Sequence, residues 1–437
     1  MSIKAGVAIR DITPQGSVKL FGYPGIERKS SGVNDPLLVS ALHFRSGSKG
    51  VIIVSVDLLF LDPATSASVR RRVSDAVSMP EERLFIACTH NHSGPATGPV
   101  LCWKGDYTVP VPDEGYMDHV TNEIVAAASE AAATTTPVEI AWAGFERAYG
   151  NGQFVKNDMP DSGGAVLAVK QKNSSEFLAF LTIADVYPAM LNETSVVVSS
   201  DFVHYSRGFL KDEFGSQVVV VHLTGECADA EFPFVEGGGL DSAESAGHQF
   251  GESVKDAVRN LSDDVFTNEA DWVGAFAQVE PVRRNLPGLW DAQVNWGDMR
   301  AEYERLQSEK AEEAVLRRAR NAVAGAGGIL YMVRAGQGGA LDSMLQNYTM
   351  FTLHALRIGD RFLAGMPGIL ESEYEKRIRE KTGGKALAVS FVNGDLQGYL
   401  PSKEAPANEA SCMVSPFAAE TGEKMAQAMM DLLVSLG

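Results

Sequence analysis

Thr89-His90-Asn91-His92, running on into Ser93-Gly94-Pro95, sets two imidazoles two residues apart just after an apolar run, Leu84-Phe85-Ile86-Ala87-Cys88. If the chain stays extended, residues i and i+2 point to one side. Nitrogen donors paired at a strand end suit zinc or a related divalent ion. The same spacing also suits a polar loop whose histidines only make hydrogen bonds, because the chain has eight His. Further candidate groups lie at the ends of other runs. Residues 217–223 open into Thr224-Gly225-Glu226-Cys227-Ala228-Asp229-Ala230-Glu231, Asp201 and His204 stand in Asp201-Phe202-Val203-His204, and Asp57 closes the β-branched run at 51–56.

These groups need elements to position them. Residues 51–56 and 84–88 read as buried strands separated by a helix over 64–77, and a second helix follows near 113–133. Strand, helix, strand, helix in this order predicts parallel pairing. Further strands are predicted at 177–184 and 217–223, with His222 as a core residue rather than a ligand. Ligands of such sheets bind beyond the carboxyl ends of the strands, so Asp57, His90, His92 and the 226–231 loop are expected to meet at one edge. Asp57 is expected to serve the histidine loop, by orienting an imidazole or by accepting from loop amides. A charged helix over 298–324, stopped by Gly325-Ala326-Gly327-Gly328, marks a cap or insert about 265–340. Residues 352–364 read as a hairpin around Gly359-Asp360, and a Met-rich amphipathic helix from Phe417 to Leu433 closes the chain. His119, His248 and His354 read as structural, Trp103 and Tyr107 as lining the pocket or packing, and Arg207 as an exposed ion pair or a substrate contact.

Composition narrows the classes. The 437 residues are 45% hydrophobic and 22% charged, an ordinary globular balance. A net charge of -18 argues against a nucleic-acid or anionic-membrane partner. Four scattered cysteines without a C-x-x-C pattern argue against a structural zinc knot or disulfide framework. No run approaches the ~18 apolar residues of a membrane span, and the N-terminus lacks the apolar stretch of a signal peptide. The expectation is a cytoplasmic protein with a small-molecule substrate, and homo-oligomerisation is left open.

The chain resembles the neutral/alkaline non-lysosomal ceramidase family. The likeness begins at Ala5-Gly6-Val7-Ala8 and Asp11-Ile12-Thr13-Pro14. It continues through Gly22-Tyr23, Gly32-Val33-Asn34-Asp35-Pro36-Leu37, Val54-Ser55-Val56-Asp57 and the Thr89–Pro95 segment, and ends in echoes at Ser200-Asp201-Phe202, Gly365-Met366-Pro367-Gly368 and Asn393-Gly394 to Pro401. It implies one α/β domain, a mixed or parallel sheet flanked by helices with the helical insert, without the family's C-terminal immunoglobulin-like domain. It also implies a zinc amidase in which His90 matches the first zinc ligand, His92 the oxyanion helper and Tyr399 the Tyr ligand. Four other positions depart from the pattern. The second His ligand is Tyr187, the Glu after the Pro-Gly pair is Ile369, the Asn-Arg pair is Asn151-Gly152, and the ceramidase serine is Glu231. Ceramide is therefore not the expected substrate.

Three readings remain open from the sequence. The first is a re-wired metallohydrolase acting on an amide or related acyl bond. Here Zn2+ is held by His90 and His92 with members of Asp201, His204, Glu226, Asp229 and Glu231, and Glu226 or Glu231 acts as general base. The second is a metal-independent acid–base enzyme (lyase, isomerase or cyclase) using His90 or His92 with Glu231. Cys227 is a lesser candidate as nucleophile, since a buried thiol is inert. The third is a non-catalytic relative.

Overall fold

The computed structural model describes residues 2–23, 25–101, 108–146, 163–225, 227, 238–369, 371–400 and 415–437. Glu226, Asp229, Glu231, Trp103, Tyr107, Asn151 and Gly152 therefore lie outside the described residues.

The predicted strand-helix-strand unit is present. Lys49–Val56 is a β-branched run buried from its second residue on, and it pairs in parallel with the fully buried Leu84–Cys88. Helix α1 (Pro63–Val77) connects them. Its start is written locally, because Pro63 opens the first turn and the Asp62 side chain accepts from the amides of Ala64 and Thr65. Helix α2 (Glu114–Ala133) follows. A second parallel pair, Phe177–Ala184 with Val219–Thr224, is joined by α3 (Phe202–Phe214). Both pairs belong to a mixed eight-stranded sheet. From one edge its strands run Val219–Thr224, Phe177–Ala184, Gly163–Gln171, Thr136–Glu146, Lys4–Asp11, Leu38–Ser46, Lys49–Val56 and Leu84–Cys88.

The sheet curls so that its halves face each other. One core is shared by Ile53, Phe85, Leu181 and Leu223, and the Ser55 hydroxyl donates across it to the His222 carbonyl at 2.5 Å. Helices α1 and α2 cover one outer face, and α3 with α4 (Leu240–Arg259) cover the other. His222 is a buried core residue as predicted, with Nδ1 3.1 Å from the Thr182 hydroxyl. A smaller four-stranded sheet carries the predicted hairpin, Phe351–Ile358 with Arg361–Gly365, and packs under the C-terminal helix Ala419–Leu436 through Met425 and Met429. Among the described residues no helix is long and apolar enough to cross a membrane.

The insert differs from expectation. In place of one helix stopped at Gly325 there are two, α5 (Leu289–Ser308) and α6 (Glu313–Gln337), and α6 runs straight through the glycines. Gly325, Ala326 and Gly328 are buried. The two helices pack through Ala292, Leu330 and Val333, and that packing outweighs the roughly 1 kcal/mol that a mid-helix glycine costs.

Candidate active site

The buried strand Leu84–Cys88 ends directly beneath the histidines, and backbone bonds fix the loop that follows. Thr89 N donates to Val56 O at 2.9 Å, Asn91 N to Leu58 O at 3.2 Å and His92 N to Pro188 O at 3.0 Å. The chain is not extended here, since His90 has φ of 59°. A non-glycine residue in that region carries strain of order 1 kcal/mol, and the surrounding bonds hold it. The two rings nonetheless meet, with centroids 4.8 Å apart and edge to face.

Around them stands an aromatic shell. His90 stacks on Phe391 at 3.8 Å, and His92 lies against Tyr187 at 5.0 Å and against the edge of Tyr23 at 5.0 Å. The Tyr187 and Tyr399 hydroxyls are 3.4 Å apart, so the predicted Tyr399 does reach the cluster. Ile369 and Tyr187 are buried in the same core. Gly22 permits the close approach of the Tyr23 loop. Its φ is +142°, and a Cβ there would stand 2.7 Å from the His92 Cβ.

The protonation states follow from the partners. His90 Nδ1 is 3.0 Å from the Leu59 carbonyl, which can only accept, so Nδ1 carries the hydrogen and Nε2 presents a lone pair. Burial pushes the His90 pKa down to about 3. His92 is held well below the usual imidazole range by burial first, then by His90 and Arg28. Among the described residues both His92 ring nitrogens are buried without a hydrogen-bond partner, and an unsatisfied buried polar group costs about 1–3 kcal/mol. Arg28, 3% exposed, braces the loop by donating from Nη2 to the His92 carbonyl at 2.6 Å, and its guanidinium lies over Tyr23 at 4.7 Å.

Several predicted site residues are employed elsewhere. The Asp57 carboxylate does not orient a histidine. It forms a buried two-point pair with Arg207 at 2.5 and 3.0 Å and accepts from the Leu38 amide. Arg207 is thus neither exposed nor available to substrate. Asp57 does serve the loop through its backbone carbonyl, which accepts from the Asn91 side chain at 3.3 Å. Asp201 caps α3, and its oxygens are taken by backbone amides. One oxygen accepts from the Phe202 amide at 2.6 Å and the other from the Leu191 amide at 2.8 Å. Burial raises its pKa to about 6. His204 faces the buried Asp35 at 3.8 Å, not the imidazole pair. Among the described residues no three His, Cys, Asp or Glu side chains converge as a metal site, so the predicted set of His90, His92, His204 and Asp201 is not assembled. Its remaining candidate Asp229, with the candidate bases Glu226 and Glu231, falls outside the described residues. Cys227 is buried.

Tyr23, Arg28 and Phe391 were not singled out for chemistry from the sequence. Gly22-Tyr23 carried a signal as part of the resemblance, whereas a lone arginine 64 residues before His92 carries none.

The curled mixed sheet between helical layers, with a histidine pair at the end of its edge strand Leu84–Cys88, defines an α/β protein with the fold of a ceramidase catalytic domain. Neutral ceramidase from Pseudomonas aeruginosa is similar over 100% of this chain and 74% of its own, with a TM-score of 0.73 and 15% identity. A ceramidase complexed with C2 is similar over 100% and 75%, with a TM-score of 0.73 and 14% identity. No family model and no curated protein sequence matches. At such identities the likeness establishes the fold.

Proposed function

We propose that the protein is a ceramidase-like hydrolase that opens an amide or related acyl bond in a small molecule other than ceramide. The observation that carries this reading is His92, whose two buried ring nitrogens lack partners among the described residues while the ring faces His90 and Tyr187. In this reading His90 Nε2 accepts a proton from the attacking water, and the water oxygen bonds to the substrate carbonyl carbon. His92 and the Tyr187–Tyr399 hydroxyl pair donate to the oxygen as it gains negative charge, a contribution of about 3–4 kcal/mol per donor in comparable sites. The imidazolium of His90 then returns its proton to the leaving nitrogen as the C–N bond breaks. A pKa of about 3 makes His90 a weak base but its conjugate acid a strong proton donor, which favours expulsion of a poor leaving group.

Zinc, which the family resemblance implies, does not fit the described donors. Tyr187 and Ile369 stand where the resemblance places a histidine and a glutamate, so among the described residues two imidazoles and two phenols remain without a carboxylate. A dication there would sit uncompensated beside the Arg28 guanidinium, a costly arrangement in a buried site.

The test is turnover of a panel of N-acyl and O-acyl compounds by the wild type, His90→Ala and His92→Asn. Expected is a rate loss of about 100-fold or more in each variant. Absence of turnover across the panel, or undiminished rates in both variants, would end the proposal.

A further inference from the structure

Residues 391–400 bring two aromatic rings to the imidazole pair, and their backbone is strained in doing so. Phe391, which stacks on His90, has φ of 57°, Asn393 64° and Gln397 56°. Left-handed conformations at non-glycine residues persist only where the surroundings fix them. Near the first ring the fixing group is Arg70, whose Nη1 donates to Asn393 Oδ1 at 2.6 Å. Near the second ring, Tyr399, it is Gln397, which is 2% exposed. Gln397 Oε1 accepts from the Leu101 amide at 2.7 Å, and Nε2 donates to the Pro99 carbonyl at 2.8 Å. The amide is thereby oriented, since a backbone N–H only donates and a carbonyl only accepts. Nε2 also reaches the Tyr348 hydroxyl at 2.6 Å and Asp395 Oδ2 at 2.7 Å. The same Asp395 oxygen accepts from the Gln397 backbone amide at 2.9 Å, and Tyr348 donates to the other at 3.3 Å. This buried network ties residues 391–400 to the stretch of chain that leaves the histidine loop. Only Gly398, with φ of 132°, separates Gln397 from Tyr399, whose hydroxyl is 3.4 Å from that of Tyr187. A fully satisfied buried network of this kind rigidifies what it holds.

From this geometry we infer that Gln397 is a positioning residue of the site. It holds the Tyr399 hydroxyl where the proposed hydrolysis develops negative charge, and it acts through Tyr399 rather than by touching substrate. The inference rests on the hydrolase reading for what that hydroxyl does, but where the hydroxyl sits does not depend on turnover.

Wild type, Gln397→Met and Tyr348→Phe are prepared with 13C-labelled tyrosine rings, and the Tyr399 resonance is assigned by its loss in Tyr399→Phe. Each protein is also assayed on the same panel of acyl compounds. Expected in Gln397→Met is a displaced Tyr399 resonance, while that of Tyr116, bonded to the Ile12 carbonyl elsewhere in the fold, stays in place. The kcat is expected to fall about 10-fold or more with KM changed less, because the hydroxyl donates to charge that exists only in the transition state. Tyr348→Phe removes one acceptor of the Gln397 amide and should have the same effects to a smaller extent, so it decides if Gln397→Met does not fold. A Tyr399 resonance at its wild-type position, displacement of Tyr116 as well, a loss confined to KM, or a displaced resonance with wild-type kcat overturns the inference. A wild type that turns over nothing sinks the hydrolase reading instead, and the Tyr399 resonance then decides the positioning alone.

Discussion

Lowering the pH from 8 to 5 should destabilise this protein strongly, and the reason lies in its buried imidazoles. His43 is pushed down to about 4, and His90, His222 and His354 to about 3, in each case first by burial. The ordinary imidazole value is 6.5. A histidine whose folded pKa is depressed stays neutral in the native state while the unfolded chain takes up a proton. Its contribution is fully present above pH 6.5 and is lost as pH falls toward the folded pKa. At pH 5 each of the four has lost about 2 kcal/mol, at 1.36 kcal/mol per pH unit, or about 8 kcal/mol together. His92 is shifted in the same direction and adds to the loss. Two carboxyls act oppositely. Burial raises Asp201 to about 6 and Asp395 to about 7, so the native state binds protons there first, and acidification returns about 4 kcal/mol. The net loss is about 4 kcal/mol or more, a large share of the ~5–15 kcal/mol that holds a typical domain together. The assay is the urea midpoint followed by circular dichroism from pH 8 to pH 5, repeated for His222→Asn, whose slope below pH 6.5 should be shallower by about 1.4 kcal/mol per pH unit. A midpoint that is flat or rises on acidification would refute the reasoning.

Breaking the Asp57–Arg207 pair with Arg207→Leu should cost about 3–5 kcal/mol, because the carboxylate is left buried and unpaired. Adding Asp57→Asn should recover part of that loss in the same denaturation assay, and a cost under 1 kcal/mol would contradict the buried-pair account. Gly22→Ala should lower stability by about 1–3 kcal/mol through overpacking against His92. It should also depress turnover, and a variant equal to wild type in both would show that the contact is slack. Restoring the implied ligands with Tyr187→His and Ile369→Glu should create zinc binding, read as bound zinc and a zinc-dependent rise in melting temperature. A folded double variant that binds no zinc would show that these positions do not face the imidazole pair.

Much of the fold was legible because several of its strands are continuous apolar runs. Residues 51–56, 84–88, 177–184 and 217–223 read as buried strands, and the helix between the first two predicted their parallel pairing, whereas the second parallel pair, joined by α3, was not anticipated. The curl of the sheet and the insert were harder. The glycines of α6 look like a stop until the packing of α5 on α6 through Ala292, Leu330 and Val333 is known. The histidine pair was legible from its spacing and its place after a strand, and Tyr187 and Ile369 from the positions where the family pattern fails. What surrounds the pair was not. Asp57 follows its strand as a site residue would, yet Arg207, distant in sequence, takes the carboxylate. Asp201 reads as a potential ligand, yet both of its oxygens are consumed by backbone amides at a helix start. Arg28 joins the site through a carbonyl and a ring face, neither of which leaves a mark on local sequence.

The central claim is that neutral imidazoles and phenols, not a metal, carry acyl hydrolysis at His90 and His92. It is tested by measuring the hydrolysis rate of the N-acyl panel before and after exhaustive chelation, with zinc quantified in the same samples. The account predicts an unchanged rate at far less than one zinc per chain. A rate that falls with chelation and returns in proportion to added zinc would contradict it.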